Sequence, residues 1–124
     1  MRVCAAIALS LMTTTTRRIR WIISCGCCGA GQLHLFPNAA LHLQTAEMAY
    51  ATGPCMCHDT LRAPFTADHV CTAIKRLYAG KVIFHDGEAQ VADGVTVHCI
   101  GGHSRGLQAV RVRTQAGWMV LASD

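Results

Sequence analysis

The sequence predicts an α/β fold, a mainly antiparallel or mixed sheet carrying two helices, and four stretches carry that prediction. Residues 95–100 and 107–114 alternate as strands do. Val95, Val97 and Cys99 fall on one face of the first, and Thr96, His98 and Ile100 on the other. In the second, Val110 and Val112 oppose Arg111 and Arg113. A Gly-containing loop, Gln115-Ala116-Gly117, then leads into residues 118–122, which are apolar at every position and suit a strand buried on both faces. Between Ala67 and Ala79, Val70, Ile74, Leu77 and Tyr78 recur at helical spacing and form one apolar stripe.

The remaining elements follow in order. Val3 to Met12 is an apolar run of signal-core length, too short to span a bilayer, and four threonines and a basic Arg17-Arg18-Ile19-Arg20 follow it without a cleavage motif. Residues 1–30 are expected to be a poorly integrated segment and residues 31–124 a single domain. Phe36-Pro37-Asn38-Ala39 reads as a turn, and residues 41–44 as a short strand with His42 opposite Leu41 and Leu43. As a lone strand histidine, His42 is expected to be structural. Thr45 can cap a helix over 46–52, Glu47 in its first turn suits the helix dipole, and Gly53-Pro54 stops it. Thr66 caps the helix over 67–79, with Lys75 and Arg76 in its last turns and Gly80 after it. Residues 82–84 are a short strand, and His85-Asp86-Gly87-Glu88 is expected to be a polar loop facing water.

Composition limits the function classes. Of 124 residues, 52% are hydrophobic and 15% charged, which argues against disorder. The net charge of +4 comes from Arg2, Arg17, Arg18 and Arg20, all before the first acidic residue, Glu47. From residue 21 onward seven Lys/Arg balance seven Asp/Glu, so there is no basic stripe for nucleic acid, and no segment is suited to a membrane. Eight cysteines are many for this length. Cys57, Cys71 and Cys99 occupy a loop, a helix and a strand as small apolar residues would, which points to reduced thiols in a cytoplasm; a secreted, disulfide-bonded domain is the alternative.

Two cysteine clusters are candidate soft-metal sites. One is Cys25, Cys27 and Cys28; the other is Cys55, Cys57 and His58. Structural zinc sites commonly space their first cysteines two to four apart, and neither Cys-x-Cys nor Cys-Cys in the first cluster fits that well; the second is compact, and a thiolate–imidazole set would suit zinc. A non-catalytic metal-binding protein built on these residues is the second alternative.

The C-terminal stretch carries a family likeness. A strand ends in Gly101-Gly102-His103-Ser104-Arg105-Gly106, a hairpin follows, and its last strand ends in Asp124. This order resembles the metallo-beta-lactamase superfamily of metal-dependent hydrolases, whose loop reads Gly-x-His-x-x-Gly and whose hairpin ends in Asp. Gly106-Leu107-Gln108, the ending Leu121-Ala122-Ser123-Asp124, and Met48 to Gly53 followed by Met56-Cys57-His58 are most similar to its N-acyl homoserine lactonase branch. The likeness runs from about Gly31 to Asp124 and implies part of an αββα sandwich. It further implies a zinc-dependent hydrolase that opens a lactone or ester, with His103 as a metal ligand and Asp124 as the carboxylate bridging two zinc ions. In such sites zinc lowers the pKa of bound water from 15.7 to about 7 and polarises the carbonyl.

The likeness fails at the superfamily's His-x-His-x-Asp-His motif, after which Ala-Gly commonly follows in the lactonase branch. Ala30-Gly31 is present, but Ser24-Cys25-Gly26-Cys27-Cys28-Gly29 precedes it, with no His or Asp and without the strands that would lead into the motif. The expectation is a truncated or frame-disrupted relative that keeps only His103 and Asp124 of the metal ligands, has no catalytic residue, and is inactive as it stands. With its partner layers missing, it is expected to self-associate through exposed apolar sheet.

Overall fold

The structure is a computed structural model; it describes residues 6–7 and 21–24 as backbone, and residues 33–122 in full. Two four-stranded sheets organise it. The first contains β1 (Ala6–Ile7), β2 (Trp21–Ser24), β3 (Ala40–Gln44) and β4 (Val82–His85), in that spatial order. β1 is antiparallel to β2, whereas β2, β3 and β4 run parallel. The expectation that no strand leads into Cys25–Cys28 is therefore corrected: β2 ends at Ser24, directly before them. Trp21-Ile22-Ile23 is an aromatic and β-branched run that suits a strand, but one too short to tell from other apolar runs by periodicity.

Parallel pairing of β3 with β4 requires a long crossover. It is made by α1 (Thr45–Ala51), a 3-10 turn (Pro54–Cys57), α2 (Asp59–Arg62) and α3 (Ala67–Tyr78). α1 and α3 match the two expected helices to within a residue at each end; the short turn and α2 were not predicted. At Gly53 the chain passes so near α1 that a β-carbon there would lie 2.6 Å from the Ala49 carbonyl oxygen. Pro54 then opens the 3-10 turn, where its missing N–H costs nothing.

The expected side-chain caps do not form. Thr45 is the first helical residue rather than the cap, and its hydroxyl donates to the His85 carbonyl at 3.2 Å, which ties the start of α1 to the end of β4. Thr66 caps α3 in position, but without a side-chain bond.

α3 packs on the first sheet through Ala73, which is buried, and through Val70; Ile74 and Leu77 are half-buried. Tyr78, expected in that stripe, is 88% exposed. With Ala73 at its centre the stripe turns away from position 78, which falls on its flank. Arg76 fastens the helix to the segment before β3. Its guanidinium donates to the carbonyls of Ala39 at 2.6 Å, Phe36 at 2.7 Å, and Leu33. Burial lowers the pKa of Arg76 from the usual arginine value. The core here consists of Leu33, Ala39, Leu41 and Ala73, with a neighbouring group around Leu43 and Ala51.

The second sheet is antiparallel throughout: β5 (Ala89–Ala92), β6 (Val95–Cys99), β7 (Gln108–Thr114) and β8 (Gly117–Leu121). β6, β7 and β8 match expectation. β5 was missed because Ala-Gln-Val-Ala is a weak strand former set among polar residues. Val95, Val97 and Val110 form the core of this sheet, each worth about 1.5–3 kcal/mol of burial. β8 overturns the expectation of a strand buried on both faces. Among the described residues it is an edge strand bonded to β7 alone, and Trp118, Met119 and Val120 are 52%, 52% and 59% exposed. Among the described residues no helix is long and apolar enough to cross a membrane.

Candidate functional site

The loop between β6 and β7 carries His103. Gly101 and Gly102 lie at φ 69° and 98°, the left-handed region that glycine enters at little cost, so the chain turns sharply as it leaves β6. The Ile100 and Gly101 amides both donate to the Leu107 carbonyl, at 2.7 and 3.0 Å, which closes the loop at its base. His103 and Arg105 face solvent, whereas Ser104 and Gly106 are buried.

Burial of that inner side is explained by Glu47. It lies in the first turn of α1, as the sequence suggests, but it is fully buried and its carboxyl group faces the loop. Its Oε2 accepts from the Ser104 hydroxyl at 2.6 Å and from the Gly106 amide at 3.1 Å. Gly106 lies against the Glu47 backbone with no room for a side chain. Nothing in the local sequence signals this contact, since the partners are 57 and 59 residues apart.

Two glutamines lock the neighbouring strand ends. Gln44, at the end of β3, donates to Gln108 Oε1 at 3.0 Å and to the Gly87 carbonyl at 2.9 Å, and accepts from the Gly87 amide at 2.9 Å. Gln108, at the start of β7, donates to the His42 carbonyl at 3.0 Å. The end of β3, the β4–β5 turn and the start of β7 are thus held by one buried polar network, strong because its members satisfy one another out of water. A signal was available at Gln108, which shares a strand face with Val110 and Val112 and is a polar residue at an inward position.

His42 and His85 form a pair that sequence reasoning did not bring together. His85 was expected in a solvent-facing loop, but it ends β4, on the strand next to His42, and is half-buried. Nδ1 of His42 is 2.8 Å from Nε2 of His85, and the rings stack with centroids 5.1 Å apart. One nitrogen must donate and the other accept, so the pair suits two neutral imidazoles. Burial, and then the charge of His85, push the pKa of His42 down to about 4. Burial also lowers that of His85. Farther along, Glu88 Oε2 lies 3.4 Å from Nδ1 of His98.

Among the described residues no three His, Cys, Asp or Glu side chains converge so as to hold a metal ion, Cys55, Cys57 and His58 included. Cys55, Cys57, Cys71 and Cys99 carry free thiols. Neither the cysteine–histidine metal protein nor the disulfide-bonded domain gains support from this region. Asp124, Cys25, Cys27 and Cys28 lie outside the described residues. An exposed imidazole on a fixed loop fits a metal-ligand role, but His103 alone falls short of the three protein ligands that open catalytic zinc sites use.

No family model matches the chain, and no curated protein matches it. Solved structures do. A B. thuringiensis AiiA variant with N-decanoyl-L-homoserine bound at its active site superposes with a TM-score of 0.62 at 23% identity, over 84% of this chain and 37% of that one. An N-acyl homoserine lactone hydrolase with the product N-hexanoyl-L-homoserine bound at its catalytic metal centre gives the same values. The hydrolase AbOPH, of the beta-lactamase superfamily, superposes with a TM-score of 0.61 at 16% identity, over 86% of this chain and 40% of that one. The chain spans less than half the length of each of these structures. Its fold is part of the metallo-beta-lactamase fold.

Proposed function

We propose that this chain is part of a metal-dependent hydrolase that opens the ring of N-acyl homoserine lactones, with His103 and Asp124 as zinc ligands. The observation that carries the reading is the His103 loop. It stands between β6 and β7 with its inner side fixed to α1 and its imidazole open to solvent, in a fold shared with lactone hydrolases. The proposed substrate is a small lactone or ester, and the free thiols accord with a cytoplasmic location.

We also propose that the 124 residues do not hydrolyse lactones by themselves. A zinc-bound hydroxide at neutral pH requires a metal fixed by at least three protein ligands, with an open position towards substrate. His103 and Asp124 supply one nitrogen and one carboxylate, and cysteines stand where the motif histidines and aspartate would be. No hydrolytic step can be assigned to such a set.

The test is a ring-opening assay with N-hexanoyl homoserine lactone and added zinc, alongside NMR of the His103 ring during a zinc titration. No turnover is expected from the chain or from His103→Ala, while millimolar zinc should shift the His103 ring signals. Zinc-dependent turnover that His103→Ala abolishes would refute the inactivity. A His103 ring indifferent to zinc would refute its place as a ligand.

A further inference from the structure

We propose that Glu47 is a positioning residue for His103: its buried carboxyl group holds the loop so that the imidazole is presented in one place before any metal arrives. The role of His103 as a ligand rests on the hydrolase reading; the positioning itself does not.

The loop has little of its own to hold it. Gly101 and Gly102 supply freedom, the two bonds to the Leu107 carbonyl fix its base, and the Cys99 thiol adds a long contact of 3.8 Å to the Arg105 carbonyl. Beyond the base, Ser104 and Gly106 are the residues that turn inward, and both bond to Glu47 Oε2. Ser104 directly follows His103, so its bond fixes the backbone next to the imidazole while the ring stays in water. Glu47 is itself on a stiff support. α1 packs through Ala51 and Met48 onto Leu43, and it starts where Gln44 is tied to Gln108 and Gly87. The helix that carries the carboxyl group and the strand that follows the loop are therefore fastened to each other independently of the loop. Gly106 completes the device, because only a residue without a β-carbon lets the loop come close enough for its amide to reach the carboxyl group. A ligand held in place before binding loses less conformational freedom when the metal arrives.

The experiment compares the full chain with Glu47→Ala, Glu47→Gln and Ser104→Ala by amide hydrogen exchange, and follows the His103 ring by NMR with and without zinc. In Glu47→Ala the Gly106 amide should exchange about tenfold faster or more, because it loses its buried acceptor. The amides of Val97 and Val110 should keep their rates, and the His103 ring signals should move towards those of an unstructured histidine. Glu47→Gln keeps an acceptor oxygen of nearly the same size and should restore both readouts. If Glu47→Ala does not fold, Ser104→Ala removes one of the two bonds and should give a smaller change of the same kind. Unchanged Gly106 exchange would overturn the proposal. So would equal acceleration of Gly106, Val97 and Val110, which would make Glu47 a support of the fold as a whole. Zinc that leaves His103 untouched, with the exchange pattern as expected, would refute the hydrolase reading and leave the positioning intact.

Discussion

Gly106 lies so close to the backbone of Glu47 that a β-carbon on it would sit 2.2 Å from the Glu47 nitrogen and 2.3 Å from Glu47 Cβ. The contact joins residues 59 apart in sequence and closes the His103 loop onto α1. Gly106→Ala should therefore force the loop and the helix apart. Overpacking of this kind costs about 1–3 kcal/mol, and the Gly106–Glu47 bond would be strained as well. Urea unfolding should show a midpoint shift of that size. A variant as stable as the parent would mean that the two elements can separate freely.

The His42–His85 pair makes stability depend on pH. In the unfolded chain His42 takes up its proton near pH 6.5, and in the fold only near pH 4, because burial and His85 oppose the charge. The folded value is the lower one, so between these limits the unfolded state binds more protons. The contribution is fully present above about pH 6.5 and is lost as the pH falls towards 4. The shift corresponds to roughly 3 kcal/mol. His85 is shifted in the same direction and adds to the loss. Denaturation series between pH 8 and 4 should show this slope, and His42→Asn should flatten it. An equal slope in that variant would place the titrating group elsewhere.

Gln108 is the bridge between β7 and the end of β3. Gln108→Leu removes the acceptor for Gln44 and the donor to the His42 carbonyl. Buried polar groups left without partners cost about 1–3 kcal/mol each. The variant should melt at a clearly lower temperature, and the β4–β5 turn should lose exchange protection because Gln44 also holds Gly87. An unchanged melt would show that Gln44 finds another partner.

The parts legible in the sequence are those whose pattern is local. β6 and β7 alternate cleanly, α3 repeats at helical spacing, and the Gly-x-His-x-x-Gly loop marks itself. Local pattern failed where the answer lies in a distant partner. A run such as residues 118–122 says that a strand is apolar, but not whether anything covers its faces, and among the described residues β8 is an edge strand with exposed side chains. Tyr78 was placed in the stripe because the pattern does not fix the centre of a helix face, which Ala73 decides. His42 meets His85 across 43 residues, and Glu47 meets Ser104 across 57, through the β3–β4 pairing and the approach of α1 to the β6–β7 loop. No spacing rule reaches that far.

β8 sets the last prediction. Among the described residues it pairs only with β7 and leaves its other edge unpaired, and three consecutive apolar side chains on it are more than half exposed. Exposed, uncharged, apolar edge strands without proline are sites of edge-to-edge association. Arg111 lies over the Trp118 ring at 4.4 Å and shields part of one face, but Met119 lies on the opposite face, opposite Val112. The chain should therefore form concentration-dependent oligomers in sedimentation velocity. Val120→Glu should reduce them in two ways. It places a charge on the edge strand, and it sets a carboxylate directly across from Arg111, a cross-strand pair worth about 0.2–1 kcal/mol. Its thermal stability should be kept or slightly raised, while the mean sedimentation coefficient falls towards that of a monomer. Oligomers that persist unchanged in Val120→Glu would move the association to another surface, and a monomeric parent at high concentration would remove the premise.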